Sequence, residues 1–404
     1  MASAADAPRA VATQSLSAQS VWGTADALER IADEWQELCQ EGPCDQPFFR
    51  PEWIAASVRA FGKNRRVLLV TVREGGRLRG VLPLWEEKIR VCGIPVTRLA
   101  SAGSADHSPR FDFVHGRGLD TENVVKAAWS QLRSLKAWDM IQCKNVPQGA
   151  AVELLLRAAR TDGFLTYEHR WAESPYIALT GHEPHADFSQ FVRSRRFRHR
   201  LRHSWRKLQE MGEVSLRRVD TADPETVEQF YRLERSGWKG HKGTAIACHP
   251  ETREFYDRIV KDAARLGYLS FYFLEQGNRQ LAAHLALTYA GKYYPLKVAY
   301  DESYSKYGPG HLIIAAVLED CVARGLAEFD CLGHQTEAKS KWACEVRPHN
   351  FCYIFRNGIA GRMLFAESYV AQKMQSSLRR IASRLRRPEK SGGQGEIPTH
   401  EQKA

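Results

Sequence analysis

The sequence predicts an α/β chain of the α+β kind, built as two tandem lobes, each a mixed, largely antiparallel sheet flanked by helices. Three observations predict it. The chain has 404 residues, about twice the length of a common single domain. Each half contains one β-hairpin pattern closed by a glycine turn. Helical patterns flank the two hairpins in the same sense, which points to an internal duplication.

Residues 1–20 are rich in Ala and Ser and have no apolar stretch behind a basic start. They match neither a signal peptide nor an anchor and are expected to form a disordered arm. The first lobe is assigned to residues 21–180. It opens with a helical pattern from Asp26 to Cys39. The run Gln46-Pro47-Phe48-Phe49-Arg50-Pro51-Glu52-Trp53 then sets proline before aromatic and acidic residues, a helix start, and this helix should reach about Phe61. Strand-forming runs over 66–72 and 78–85 surround the Gly75-Gly76 turn and read as a hairpin.

The second lobe is assigned to residues 181–375. A helix is expected from Asp187 to Met211, whose segment Arg193 to Lys207 carries eight Lys/Arg and no acid. The second hairpin joins 269–274 to 281–287 through Gly277-Asn278. Lys292 to Ala299 reads as a further strand, and Asp301 to Pro309 as a polar loop ending at Gly310. A helix from Leu312 to Ala323, closed by Arg324-Gly325, leads to a strand from Ala327 to Leu332. Residues 376–404 are assigned to a basic helix end, amphipathic from Leu378 to Arg387, and a disordered tail.

Composition narrows the function. The net charge of +11 favours encounters with polyanions: CoA, nucleotide-linked sugars, RNA or an anionic membrane face. No apolar run approaches the roughly 18 residues of a membrane span, so a soluble protein without a transmembrane segment is expected. The nine cysteines are scattered with no Cys-x-x-Cys pair, which reads as reduced thiols in the cytoplasm and no metal site. Walker loop, Gly-x-Gly-x-x-Gly, Gly-x-Ser-x-Gly and His-Glu-x-x-His motifs are missing, which leaves kinase, dehydrogenase, serine hydrolase and zinc protease readings without support.

The chemistry concentrates around Tyr300-Asp301-Glu302-Ser303-Tyr304-Ser305-Lys306-Tyr307-Gly308-Pro309-Gly310, set between a strand and an apolar helix. Glycines at a helix entrance let backbone N–H groups approach a phosphate, and the helix dipole adds positive charge there. Hairpin, strand, glycine loop, helix and strand follow in the order of the cofactor half of the GNAT fold.

Several motifs together resemble one family. Gln46 to Trp53 with the Gly75-Gly76 hairpin, Gly237-Trp238-Lys239-Gly240 followed by Gly243-Thr244-Ala245, Lys297 to Gly310, and Phe329-Asp330 with Lys339 and Trp342 are similar to the CelD-like acetyltransferases of the GNAT superfamily, relatives of the Fem peptidyltransferases. The resemblance spans roughly residues 40–355. It implies two GNAT-like lobes, of which only the second keeps an acyl-donor site for acetyl-CoA or another acyl-CoA. It also implies an amino sugar or similar polar small-molecule or glycan acceptor from envelope or exopolysaccharide metabolism. The first-lobe loop Ala102 to Arg110 has no glycine-led apolar helix directly behind it and reads as a substrate-side or structural partner. Ala338 departs from the aromatic that relatives place before the lysine matched to Lys339, and His334 stands where relatives tend to have a smaller or different residue, so the acceptor pocket is expected to differ.

Residue roles follow, each beside a plainer reading. In a direct transfer an amine attacks the thioester, and a base, an oxyanion donor and an acid for the thiolate are needed. His334, past the last strand, is the first candidate base, or else a surface histidine. Asp301 orients the amine or acts as base through water, or else caps its loop. Tyr304 and Tyr307 protonate the thiolate or pack the loop. Tyr307, Gly308, Pro309, Gly310 and His311 form the donor loop. Trp238 and Lys239 offer a stacking wall and a cation, or else packing and surface charge, and Lys297 and Lys339 are placed with them on the substrate side. The basic run from Arg193 to Lys207, with Phe197 and Trp205 interleaved, either binds RNA, as a Fem-like aminoacyl-tRNA-dependent transferase requires, or is a solvated helix face. A third reading is a non-catalytic assembly factor that meets a membrane or a synthase through the basic tail.

Overall fold

The computed structural model describes residues 15–370 and Lys373, apart from Cys44, Asn64, Cys92, 104–106, 118–119 and the side chain of Trp238. The first half runs β1 (Leu16–Gly23), α1 (Ala25–Glu29), α2 (Ala32–Glu41), α3 (Pro51–Phe61), β2 (Val67–Glu74), β3 (Arg77–Val91), β4 (Ile94–Ser101), β5 (Val114–His115), α4 (Thr121–Ser134), β6 (Met140–Pro147), α5 (Ala151–Thr161) and β7 (Leu165–Ala178). The second runs α6 (Arg195–Met211), β8 (Val214–Val219), α7 (Pro224–Ser236), α8 (Trp238–His241), α9 (Pro250–Arg265), β9 (Leu269–Gln276), β10 (Arg279–Tyr289), β11 (Lys292–Tyr300), α10 (Pro309–Ala323), β12 (Glu328–Asp330), α11 (Glu337–Ser340) and β13 (Glu345–Phe355).

One sheet carries both halves, in the order β1-β2-β3-β4-β6-β13-β7-β12-β11-β10-β9-β8, with the short β5 on β3. The two five-strand ends are built alike: three antiparallel pairings and then one parallel pairing, β4 with β6 and β11 with β12. Between them the long strands are exchanged. β13, from the C-terminal half, lies between β6 and β7 of the first, and β7 pairs with β12 of the second. Each half is therefore completed by a strand of the other.

The core also crosses the halves. α3 packs on α9, where Trp53 meets Phe255 edge to face at 5.2 Å, and Phe48, against Trp53, meets Tyr294 of β11 at 5.3 Å. The hydroxyl of Tyr268 donates to Glu52 at 2.9 Å, and Tyr289 donates to Asp45 at 2.7 Å, each pair joining the two halves.

Four sequence expectations are corrected. Residues 16–20, expected in the disordered arm, belong to edge strand β1, whose alternating Leu16, Ala18 and Trp22 pack on the first core; residues 1–14 lie outside the described residues, as does the expected tail over 376–404. The helix over Asp26 to Cys39 is two helices, because the chain tightens at Arg30 and Ile31 into bonds from Ile31 N–H to Leu28 O. The helix over Asp187 to Met211 begins only at Arg195: Asp187 caps a short turn, Phe188–Phe191, Val192 bridges to Trp342, and Ser194 accepts from the Phe197 N–H at 3.3 Å. The strand over Ala327 to Leu332 is confined to β12, since Leu332 turns to φ 53° while the Asp330 carboxylate accepts its N–H at 3.0 Å.

Candidate active site

The site begins where two parallel strands part. β11 pairs with β12 only at Lys292–Glu328 and Tyr293–Phe329. Opposite the Leu285/Ala286 step of β10, β11 holds a bulge at Leu296, and from there Pro295 to Val298 edge a cavity of about 980 Å³. Bulges re-aim backbone and side chains, and they recur beside active sites.

One end of the cavity is the entrance to α10. Residues 302–307, expected as irregular loop, form a short 3-10 turn, and Gly308 follows in the left-handed region at φ 67°, ψ 50°. Glycine takes that conformation without the Cβ penalty other residues meet. Pro309 and Gly310 then open the helix, whose first-turn N–H groups lack intrahelical acceptors and carry the positive end of the helix dipole. Gly308, Gly310 and His311 border the cavity. A Cβ built on Gly310 would meet only the Tyr300 ring, at 3.4 Å, so glycine keeps the approach to the N–H groups open.

The floor holds neutral imidazoles. His284 is fully buried with Nδ1 2.9 Å from the Tyr293 hydroxyl, and burial, reinforced by the charge of Lys239, pushes its pKa down to about 3. Burial, then the charges of Lys341 and Arg200, lower His311 to about 4. Burial, then Arg110 and Arg347, lower His349 to about 3. All three border the cavity, as does Trp342. Among the described residues, His284 Nε2, His349 Nε2, His311 Nδ1 and Trp342 Nε1 have no hydrogen-bond partner. An unmet buried polar group costs about 1–3 kcal/mol, so four of them around one cavity suit a polar, uncharged stretch of ligand.

The other end belongs to the first half. His107 and Pro109, from the loop read as a substrate-side or structural partner, and Lys144 and Asn145, from the end of β6, border the cavity. So do Trp171 of β7 and Phe351 of β13, stacked at 4.5 Å, with the exposed His334 ring edge-on to Trp171 at 5.5 Å. Behind this wall the buried Asp330 carboxylate pairs with Arg110 across the halves and lies 3.4 Å from Arg347, which also pairs with Glu328. The network fixes the end of β12, from which the Gly333–His334 turn projects.

The structure sorts the residues selected from sequence. His334, Lys297, Lys239, Lys339, Gly308, Gly310 and His311 come together on the cavity. Two of these lysines are engaged as structural ties: Lys239 donates to the buried Glu234 at 2.9 Å and to Val298 O at 2.8 Å, and Lys339 donates to Leu332 O and to His334 O, the latter at 3.0 Å. The Lys297 ammonium lies over the Tyr256 ring at 5.2 Å. Pro309 is buried in the first turn of α10.

Asp301, Tyr304 and Tyr307 are not among the cavity residues. Asp301 accepts from the Ser303 N–H and hydroxyl and from the Arg279 guanidinium. Burial alone would raise its pKa, but these bonds outweigh that and hold it below the usual range, which suits the loop-capping role. Tyr304 lies under Arg279 at 4.7 Å, and the Tyr307 hydroxyl reaches Met211 Sδ at 3.4 Å. Trp238 falls in α8, but its side chain lies outside the described residues.

Sequence reasoning missed His284, His349 and Trp171. His284 had a signal: it is the one polar residue in Leu281-Ala282-Ala283-His284-Leu285-Ala286-Leu287. The other two reach the cavity only because β7 and β13 are exchanged.

Comparison with known proteins agrees with this geometry. Residues 195–340, from α6 through α11, match the family described as acetyltransferase (GNAT) domain. The solved structure of FemX superimposes with a TM-score of 0.56 at 14% identity, covering 83% of this chain and 97% of that one. The C-terminal DUF2156 domain of a protein provisionally described as a lysylphosphatidylglycerol synthetase, from Agrobacterium fabrum, does so with a TM-score of 0.50 at 11% identity, covering 84% and 96%. At these identities the likeness is one of fold. A search of curated proteins finds no match. Residues 195–340 of the second half thus match the GNAT acetyltransferase domain, and the fold of the chain resembles that of FemX.

Proposed function

We propose that this protein is an acyl-CoA-dependent N-acyltransferase of the CelD-like kind, acting in the cytoplasm on the amine of an amino sugar or similar polar acceptor. One observation carries the reading: a single cavity runs from the glycine entrance of α10, past the parting of β11 and β12, to side chains of the first half. In this reading the donor's phosphates rest on the N–H groups at Gly308 to His311. Its amide-bearing arm passes the unpaired His284 and Trp342 groups, and the acceptor enters between Trp171, Phe351 and Lys144.

The reaction needs no covalent enzyme intermediate. The acceptor nitrogen attacks the thioester carbonyl, the C–N bond forms as the C–S bond breaks, and the leaving CoA thiolate takes a proton from water, so that the products are the amide and the CoA thiol. His334, on the acceptor side, takes the proton from nitrogen. The buried imidazoles stay neutral at pH 7 and serve as hydrogen-bonding groups to carbonyl oxygens. Acyl transfer from acetyl-CoA to a panel of hexosamines and their nucleotide-linked forms, read by released thiol, tests the reading. Product formation that survives ribonuclease supports it.

A second reading is favoured by one observation. Arg200 and Lys341 both lie over the Phe197 ring, at 5.3 and 5.9 Å, and Phe197 touches His311 at the cavity mouth. A basic α6 beside the donor entrance also suits the phosphate backbone of an aminoacyl-tRNA. Transfer that needs RNA and falls steeply with salt would select this donor over acyl-CoA.

A further inference from the structure

β12 ends at Asp330 and β13 begins at Glu345, and both residues pair with Tyr176 of β7, one from each side. The chain between them leaves and rejoins the sheet at the same level, as a loop of 14 residues from Cys331 to Cys344. The two cysteines that bound this loop hold their sulfurs 3.8 Å apart. Cys331 borders the cavity, whereas Cys344 is 3% exposed. Between them the loop carries His334, Lys339 and Trp342, all three on the cavity.

The surroundings of the pair favour a thiolate. The hydrogen bond with Cys331, and then the charges of Arg193 and Lys339, hold the Cys344 thiol below its usual pKa range although burial opposes them. Burial instead raises the thiols of Cys39, Cys143, Cys321 and Cys352. The thiolate is the form that attacks a peroxide, so the pair is set apart from those four. In a reducing compartment such a pair rests as thiols and becomes a disulfide only transiently.

We propose that Cys331 and Cys344 form a redox modification site, closed to a disulfide by a hydroperoxide that enters through the cavity. With hydrogen peroxide, a thiolate of the pair attacks one oxygen and the O–O bond breaks. The sulfur becomes a sulfenic acid, and the hydroxide that leaves takes up the proton the thiol had released. The second thiol attacks that sulfur, the S–S bond forms, the S–O bond breaks and water leaves. Two electrons pass from the sulfurs to the peroxide oxygens, which end as two waters. A disulfide holds its sulfurs about 2.0 Å apart, so the pair closes by about 1.8 Å. Oxidation also removes the S–H that Cys344 donates to Lys339 O at 3.5 Å. The loop that carries His334, Lys339 and Trp342 thereby becomes a covalently closed ring in the cavity wall. The inference does not depend on the acyl-transfer reading.

Peptide mapping of the full chain tests it, after treatment with about a tenfold molar excess of hydrogen peroxide and alkylation of the remaining thiols. Trypsin cuts after Lys339 and Lys341, so the two cysteines fall on separate peptides. Fragmentation of the linked pair then distinguishes Cys344 from Cys352, which shares its peptide. The Cys331–Cys344 link should exceed any other cysteine pairing at least about tenfold and vanish with dithiothreitol. Cys344→Ser should abolish it, whereas Cys352→Ser should retain it. Amide exchange over residues 332–341 should slow about tenfold in the oxidised chain and recover on reduction. Separate oxidation of the two cysteines without a link would overturn the inference, as would a link that joins two molecules on a non-reducing gel. Formation of the link with unchanged exchange over 332–341 would overturn the closed ring in the cavity wall.

Discussion

His334 and His284 stand in opposite surroundings, and different tasks are proposed for them. His334 is exposed beside Trp171, whereas His284 is fully buried and kept neutral. His334→Ala is expected to lower kcat about 100-fold, the usual worth of a positioned general base, with acetyl-CoA affinity unchanged in a fluorescence titration. Asp301→Ala should leave kcat near the wild-type value and cost about 1 kcal/mol in urea unfolding, because its carboxylate caps a turn and holds Arg279. A large loss of kcat in that variant would return Asp301 to the chemistry. Both roles for Asp301 were open in the sequence, since Asp after a strand suits either. The choice needed Arg279, 22 residues earlier in the chain and adjacent only in the folded hairpin.

Elements set the site through two local devices and one distant one. The glycine entrance of α10 and the strand leading into it were legible, because turn chemistry and strand patterning are written in neighbouring residues. The onset of α10 at Pro309 and the shortness of β12 were less so; both depend on Gly308 and Leu332 taking positive φ. The exchange of β7 and β13 could not be read at all. Its pairings join residues as far apart as Leu165 and Phe355, and nothing in either strand's own alternation names its partner. The exchange predicts that residues 181–375 made alone, without β7 beside β12, lack a cooperative calorimetric transition, whereas the full chain unfolds as one unit. A sharp independent transition in that fragment would contradict the shared sheet.

At the scale of the whole molecule, burial of histidines ties stability to pH. His284, His311 and His349 have folded pKa values near 3 to 4, below the roughly 6.5 of an unfolded histidine. The unfolded chain therefore binds more protons as pH falls below about 6.5, and stability present above that pH is lost on acidification, by up to about 1.4 kcal/mol per histidine per pH unit. Asp112 acts oppositely. Burial raises it to about 7 despite N–H bonds from Phe113, Ala151 and Val152, so its neutral form gains stability as pH falls between about 7 and 4. Three histidines outweigh one carboxyl, and the melting temperature should drop between pH 7 and pH 5. His349→Gln should flatten that drop, and an unchanged slope would remove His349 from the balance.

In the proposed function the glycine entrance of α10 holds the phosphates of an acyl thioester. Isothermal titration of RNA-free protein with acetyl-CoA, wild type against Gly310→Val, tests it most directly. The Cβ of the variant would meet only the Tyr300 ring at 3.4 Å, so the helix should form while its side chain stands in the phosphate's path. The wild type should bind measurably, and the variant with affinity at least about tenfold weaker, a difference of about 1.4 kcal/mol. Equal affinity in both would move the donor site away from α10, and no binding of any acyl-CoA by the wild type would contradict the claim.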